Sequence, residues 1–557
     1  YRQKFAGRWN DVEGQIRLVE PESWSKKEDW QTKIYVPLQA KASETAFAML
    51  DSVLFPTDKF FDLQGIKEER QKDDDELEGL FELLIKGSNF SSVKASALQE
   101  SIDIGTSFVK VLVKPDKSGF VFKWCDARHC YVDPDCKENF YASKYFIDVI
   151  DKDLGELIAE AEKENGMYSK SKVKEFLETA SGEITVKSTT PEFMSSSEII
   201  MNIRGIDGVS YRIPSKYKIV KLTEFWGKLR VLIDEKDESK GYKLESRVIT
   251  IANDKVLLRN DVNEYGQIPV FMFRTKPRKY DVYGLGFLSN SYGLQDLANS
   301  IVNLGFDSLK ISSLDIIAID MTKVADAKSI EYRPLALWKM KDINGVRIQR
   351  QPVSSMMDVL RGLGYIDTVH QDSTGITRHA QGAEPLTGRG EETLGEYQLK
   401  MKAVERRFFK TAREQEELFI IPLLKFMYSC ITNPTLFSQS AVDNLIGLNK
   451  EEGTSPEGIV VVRYTSKINL TLLADKPLPE VFRAIGPTKE EEKAEKIRAI
   501  TEVVRFVAEV PSVQNYIKFN VLLKQYLQMI GMDEKGIVLT DEEVMERMRA
   551  LTTPPQP

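Results

Sequence analysis

Four side chains that ligate soft metals, Cys125, His129, Cys130 and Cys136, fall within twelve residues of one another. Tetrahedral zinc takes such Cys/His sets. The spacing argues against one here, because it fits no pairing of two close ligands with two distant ones. His129 and Cys130 are also adjacent, and an extended chain would turn them to opposite faces. The stretch reads instead as a strand, a loop and a second strand, with Asp133-Pro134 making a turn, and neither a metal nor any other cofactor is expected. Other routes to bond chemistry are thinner still. The chain holds three histidines, His129, His370 and His379, and no Gly-x-Ser-x-Gly, so a histidine-based triad is hard to assemble. Gly284-x-Gly286 lacks the third glycine of a dinucleotide loop, and there is no Walker lysine motif. An acid-pair nuclease would have to draw on 84 carboxylates, no two of which have a distinctive spacing.

Composition sets the frame for these residues. A chain of 557 residues is too long for one core, so two to four packed units are expected. With 42% apolar and 29% charged residues it is an ordinary folded composition. No window approaches the roughly 18 apolar residues of a membrane helix, and the first residues lack the apolar core of a signal peptide. Neither a membrane span nor an export signal is expected. Four cysteines suit a reducing compartment better than a disulfide framework. A net charge of −7 is the wrong sign for a protein that grips nucleic acid through a basic surface.

The elements that would position any site follow in chain order. Trp9, Trp24 and Trp30 mark a polar N-terminal segment anchored onto the body or a neighbouring subunit. Pro37 and Pro56 bracket a helix over 38–54, with Ala42, Thr45, Met49 and Val53 at helical spacing. A helical segment over 73–102 opens on acidic residues that suit a helix N-terminus. Strands are predicted over 107–113 and 120–124, then a helix or helix pair over 151–179 and a surface insertion over 181–215. From Lys218 to Phe273 an antiparallel meander is expected.

The centre of the chain is 283–430. After Tyr283-Gly-Leu-Gly286, a helix places Leu294, Leu297, Ile301, Leu304 and Ile311 on a side built to be buried. Gln295, Asn299, Asn303 and Asp307, spaced by four, put a polar row on the other side, toward water or a neighbour. A compact insert follows, basic through Lys339, Lys341, Arg347 and Arg350, with Trp338 beside them and Asn344-Gly345 as a hairpin signal. A second helix over 354–369 leads to a loop, 372–390, with four glycines and one proline. A loop of that length without its own structure favours a functional role. A long helix then runs from Glu391 to Cys430, with Met401, Val404, Phe408 and Ala412 apolar, and Pro422 is expected to kink or stop it one turn earlier.

In this order the elements resemble the core of the tailed-bacteriophage portal protein, the head-to-tail connector. Asn263-Glu-Tyr-Gly-Gln-Ile-Pro269-Val-Phe-Met-Phe is similar to the strand that precedes that family's stem. Tyr283-Gly-Leu-Gly-Phe-Leu-Ser with Gln295 and Asn299 is similar to its first stem helix, and Thr393-Leu-Gly-Glu-Tyr to the start of its long kinked helix. The resemblance implies an α+β fold: a wing of helices and antiparallel strands (1–282), a first stem helix (283–315), a small α/β clip (316–352), a second stem helix (353–371) and a tunnel loop (372–390). The long kinked helix with returning wing strands (391–481) and a helical crown (482–557) complete it.

The resemblance also implies a homo-oligomeric ring, a dodecamer, at one capsid vertex of a virion assembled in the host cytoplasm. Such a ring passes double-stranded DNA without sequence preference in packaging and ejection. It meets the terminase, tail or adaptor proteins and the major capsid protein, and it performs no bond chemistry. Arg378, His379, Gln381 and Arg389 would face the DNA; Trp338, Lys339, Lys341, Arg347 and Arg350 would form the clip's docking surface; Gln295, Asn299, Asn303 and Asp307 belong to the stem. About twelve copies would carry roughly −84, an acidic bore along which DNA slides. The length and C-terminal helices point to a short-tailed phage. A metal-dependent nucleic-acid enzyme, with the Cys/His cluster as a zinc site, and a non-portal structural ring or adaptor are the alternatives.

Overall fold

The computed structural model describes residues 3–56, 60–64, 71–163, 166–179, 219–232, 242–312, 316–326, 339–349, 356–377, 407–454 and 460–466, with short pieces at 468, 470, 481–484, 500–502 and 505. Helix α1 (Gln3–Ile16) is followed by an extended stretch and by α2 (Leu38–Leu54), whose ends fall beside Pro37 and Pro56 as the sequence predicts. Its buried stripe is Gln39, Ala42, Ser43, Ala46, Leu50 and Leu54, so Thr45, Met49 and Val53 lie at the margin and not at its centre. Strand β1 (Phe61–Gln64) precedes α3 (Gln71–Lys86) and α4 (Phe90–Ile104). The single helical segment expected over 73–102 is thus two helices, broken at Gly87-Ser-Asn89, where the Asn89 carboxamide leaves the helix to bond both the N–H and the C=O of Phe122 at 3.0 and 2.8 Å.

Three strands form the inner sheet: β2 (Thr106–Val113) at the centre, with β3 (Phe120–Cys125) and β9 (Val270–Arg274) on either side, all antiparallel. The outer sheet is β4 (Cys130–Val132), β5 (Tyr145–Asp153), β6 (Ile219–Leu232), β7 (Tyr242–Ala252) and β8 (Val256–Val262), so of the meander expected over 218–273 three strands lie here while its last, β9, joins the inner sheet beside β2. The two runs read at 218–226 and 230–233 are one continuous strand, β6, and 151–179 is a helix pair, α5 (Leu154–Glu162) and α6 (Lys170–Thr179). The expected insertion over 181–215 lies outside the described residues. A large apolar core joins α2, α3 and α4 to β2, β3, β9 and the helix at 407–431.

The two sheets meet at one buried ion triad. Asp148 of β5 and Glu224 of β6 are direct cross-strand neighbours, an arrangement that repels by itself. Lys110 of β2 lies 2.8 Å from a carboxylate oxygen of each, and the Trp226 indole also donates to Glu224. Burial alone would lower the Lys110 pKa, but the two carboxylates outweigh it and hold the ammonium well above its usual range. Breaking a buried pair of this kind costs typically about 3–5 kcal/mol.

Gly284 and Gly286 have a packing reason. Strands β10 (Lys276–Arg278) and β11 (Asp281–Leu285) form a hairpin whose end crosses the α4–β2 corner. A Cβ on Gly286 would lie 2.2 Å from the Asp103 carbonyl oxygen, and one on Gly284 2.6 Å from that of Gly105, itself at φ 100°. Backbone meets backbone there, leaving no room for a phosphate.

Beyond it, a 3₁₀ turn (Phe287–Asn290) leads into helix α7 (Tyr292–Ser312), which therefore starts later than the glycines. Strands β12 (Ile316–Ile319) and β13 (Val346–Gln349) pair antiparallel. Asn344-Gly345 is not the tip of a two-residue hairpin: it lies in a 3₁₀ turn capped by Asp342, which feeds β13 to β12. Helix α8 (Met356–Thr374) follows and runs one turn past the predicted end.

Helix α9, 407–431, does not stop ahead of Pro422 but takes a π turn over Glu416–Ile420. The Leu418 carbonyl, which Pro422 deprives of its α-helical donor, accepts from the Tyr141 hydroxyl. Part of the long helix, 391–406, lies outside the described residues. A helix α10 (Gln439–Ile446) and a hairpin of β14 (Leu448–Thr454) with β15 (Val460–Ser466) come next, and β16 (Val481–Ala484) pairs with β1 across the expected 481/482 division. Most of the expected crown lies outside the described residues.

Asp103 sits where α1, α2 and α4 converge, buried, accepting from the Ser43 hydroxyl at 2.5 Å and the Gln99 carboxamide at 3.1 Å, with Glu13 and Arg17 nearby. Burial pushes its carboxyl up to about 7. A carboxyl raised on folding contributes stability that is complete below its unfolded value of about 3.9 and is lost as pH rises through the folded one. Asp103→Asn should therefore match the parent in urea at pH 4 and exceed it, on the order of a few kcal/mol, at pH 8. Parallel stability curves across that range would contradict the assignment.

Candidate subunit interface and channel-facing elements

The polar row of α7 is the most heavily used surface of that helix. Gln295, Asn299, Asn303 and Asp307 are all buried, against the extended stretch between α1 and α2. Thr32 N–H donates to Asp307 Oδ1 at 2.6 Å, Ile34 N–H to Asn303 Oδ1 at 2.7 Å, Val36 N–H to Asn299 Oδ1 at 2.8 Å and Gln39 N–H to Gln295 Oε1 at 3.1 Å. Asn303 Nδ2 returns a bond to the Ile34 carbonyl at 3.1 Å, and Gln295 Nε2 donates to that of Val36. The match is geometric. Four residues of helix rise about 6 Å, and two residues of extended chain span about 6.6 Å, so Thr32, Ile34 and Val36 meet every fourth residue of the helix, and Gln39 in the first turn of α2 takes the last rung. Carboxamides suit the task because each carries both a donor and an acceptor, and Asn303 uses both on Ile34.

Further contacts fasten both ends of this ladder. Lys310 Nζ donates to the Trp30 carbonyl and to Thr32 Oγ1, both at 2.8 Å. Gln15 Nε2 reaches the Tyr292 carbonyl at 3.0 Å, and Gln39 Nε2 the Ser291 hydroxyl at 3.1 Å. Burial, with Asp296 nearby, pushes the Tyr35 phenol up to about 12.

This reverses most of the facing expected from the apolar spacing, of which Leu294 and Ile301 are half-buried, Ile301 beside Gly362 of the next helix. Leu297, Leu304 and Ile311 are exposed, Leu304 by 68%, whereas Ala298 and Val302 join the polar row on the buried side. The signal was present in the row's composition: three carboxamides and one acid at four-residue spacing are what an otherwise unpaired extended segment needs.

Helix α8 packs antiparallel on α7, so closely that a Cβ on Gly305 would lie 2.5 Å from Val359 Cγ2. It too presents apolar residues outward, Met357, Leu360 and Tyr365, the last 72% exposed. The hairpin thus carries exposed apolar side chains on both of its helices, continuing for several turns.

Between the two helices, the small sheet of β12 and β13 and its 3₁₀ turns hold Lys339, Lys341 and Arg347 on the surface. Lys339 lies 3.9 Å from Asp326 and Lys323 3.3 Å from Asp342, so part of the basic character is locally paired. Ile343, 86% exposed at the turn, went unnoticed in the sequence because it stands beside the Asn-Gly signal. Trp338 and Arg350 lie outside the described residues, as do Arg378, His379, Gln381 and Arg389 of the glycine-rich loop.

Cys125, His129, Cys130 and Cys136 occupy the predicted strand–loop–strand, with Asp133 capping the turn Pro134–Cys136. The four do not converge. Cys125 and Cys130 face Asp148, while the Cys136 thiol donates to the Asp133 carbonyl at 2.9 Å. Among the described residues no group of three or more His, Cys, Asp and Glu side chains could hold a metal ion, and no described helix is long and apolar enough to cross a membrane.

Comparison with known families decides what this arrangement belongs to. Residues 22–434 match the phage SU10 portal protein family, from the strap through both sheets, α7, α8 and α9. The chain belongs to that family. No curated protein matches it. The portal match begins just before the strap and ends just after α9, so the ladder between strap and α7 lies wholly inside it.

Asn303→Ala removes the partners of both the N–H and the C=O of Ile34 at a buried position, a loss of about 1–3 kcal/mol. Hydrogen exchange of the Ile34 and Val36 amides should accelerate well ahead of amides in β2. Unchanged protection at Ile34 would mean that the ladder does not hold the strap.

Proposed function

We propose that the chain is one subunit of a portal ring at a capsid vertex, a conduit for double-stranded DNA during packaging and ejection. The observation that carries the reading is the facing of the stem hairpin. Its polar side is consumed inside the subunit, which leaves Leu297, Leu304, Ile311, Met357, Leu360 and Tyr365 outward. Membership of the portal family supplies the partner for that row, an identical neighbour around a closed ring.

In this reading 1–282 form the wing, α7 and α8 the stem, 316–352 the clip and 482–557 the crown. The clip, through Trp338, Lys339, Lys341, Arg347 and Arg350, docks the packaging terminase and later the tail or adaptor proteins. The wing and crown meet the capsid. Arg378, His379, Gln381 and Arg389 of the tunnel loop offer a few phosphate contacts in a bore whose acidic balance otherwise keeps DNA from sticking. The protein holds, aligns and passes DNA, and the energy for translocation comes from the separate motor.

Leu304→Glu tests the arrangement. The side chain is mostly exposed in the subunit, so the variant should keep the parent's circular dichroism and melting. Light scattering should give a ring near about twelve times 63.4 kDa for the parent and a mass near one chain for the variant. A variant that assembles like the parent, or a parent that stays monomeric at every concentration, overturns the proposal.

A further inference from the structure

The joint between the two sheets contains a pair of thiols that the conduit does not use. Cys125 ends β3 and Cys130 begins β4, so one belongs to the inner sheet and the other to the outer. Both are free and buried. Both turn toward the same carboxylate: Cys125 Sγ lies 3.3 Å from Asp148 Oδ2 and Cys130 Sγ 3.9 Å from Asp148 Oδ1. Burial, with the Asp148 carboxylate beside it, holds the Cys130 thiol well above its ordinary value. Asp148 Oδ2, which accepts from the Cys125 thiol and is held by Lys110 Nζ at 2.8 Å, is placed to take that thiol's proton.

The pair is not sealed in the core. A cleft of about 860 Å³ opens between α4, β3 and β5, walled by Asn89, Ser96, Trp124 and Val149, and both Cys125 and Asp148 line it. A small oxidant can therefore reach one sulfur of the pair. The other two cysteines sit elsewhere: the Cys136 thiol is bonded to the Asp133 carbonyl, and Cys430 is buried in α9.

We propose that Cys125 and Cys130 are a redox-responsive pair, closed to a disulfide by a small peroxide entering through the cleft. The Cys125 thiol, passing its proton to Asp148 Oδ2, attacks one peroxide oxygen, the O–O bond breaks, and the leaving hydroxide takes up that proton to become water, leaving a sulfenic acid. The Cys130 thiol then attacks that sulfur, the S–O bond breaks, and the leaving hydroxide departs with the thiol's proton as a second water as the S–S bond forms. The two thiols together lose two electrons to hydrogen peroxide, and their two protons end in the two waters. The new bond fastens β3 to β4, a covalent tie beside the ionic one made by Lys110, so the redox state of the surroundings sets how firmly the wing's two sheets are joined. A single subunit suffices for this chemistry, so its test stands apart from the ring's.

The test uses the folded full-length chain, treated with hydrogen peroxide, denatured, alkylated and digested with trypsin. Cleavage after Arg128 separates a peptide holding Cys125 from one holding Cys130 and Cys136. The expected product is these two peptides joined by a disulfide that fragmentation maps to Cys130, formed equally in Cys136→Ser. In Cys130→Ser the joined product should be lost and Cys125 trapped by dimedone as a sulfenic acid. Full alkylation of both thiols after peroxide overturns the proposal, as does a bond from Cys125 to Cys136 or between chains.

Discussion

A buried peptide group must find a hydrogen-bond partner, and in this chain carboxamide side chains repeatedly supply it where a neighbouring strand would. Asn303 pairs with both groups of Ile34, Asn89 with both of Phe122, and Gln415 with both of Arg274. Gln439 does the same across Ile468 and Leu470. On both edges of the inner sheet one residue is taken up in this way, Phe122 of β3 by Asn89 and Arg274 of β9 by Gln415, which blunts the edges for unwanted pairing. The same device straps the N-terminal segment to α7. It fixes that helix's rotation, and through it which side chains the stem hairpin has left to offer a neighbour.

The inner sheet in turn anchors the long helix. Gln415 grips β9, Phe419 stacks on Phe273 at 3.7 Å between ring centres, and Phe426 packs on Phe271 at 5.3 Å. The π turn lies within this stretch, and the carbonyl that Pro422 frees is taken by Tyr141 from the loop between β4 and β5. Both sheets therefore hold the helix at its irregular point. The sheets themselves are tied by Lys110, whose position between two adjacent carboxylates leaves little freedom for sliding.

Much of this was legible in the residues. Pro37 and Pro56 bound α2, the runs at 107–113 and 120–124 marked β2 and β3, and the acidic start of α3 and three strands of the meander were plain. The facing of α7 was not, because apolar spacing identifies a stripe without saying which surface will cover it, and a polar row is buried readily once each group is paired. Asn89 and Gln415 gave no sign of their role, since their partners are distant in sequence. Asp148, Glu224 and Lys110 lie on three strands, and only the register brings them together. Helix α10 and β14 were missed because Leu448-Asn-Lys-Glu-Glu-Gly-Thr454 has few strand-forming residues, so its strand depends on pairing with the valine-rich β15. The glycines at 284 and 286 were visible, but their reason, backbone crossing backbone, was not.

The central claim is that the subunit uses the polar side of its stem helix internally and its apolar side against an identical neighbour around a DNA-sized channel. The most direct test is a three-dimensional electron-microscopic reconstruction of the assembled particle. The account predicts a closed ring in which Leu297, Leu304 and Ile311 of one subunit are covered by the adjacent one, the strap remains bound to α7, and the central opening admits a duplex about 20 Å across. A ring in which that row faces solvent, or in which the strap has left Asn299 and Asn303, would contradict it.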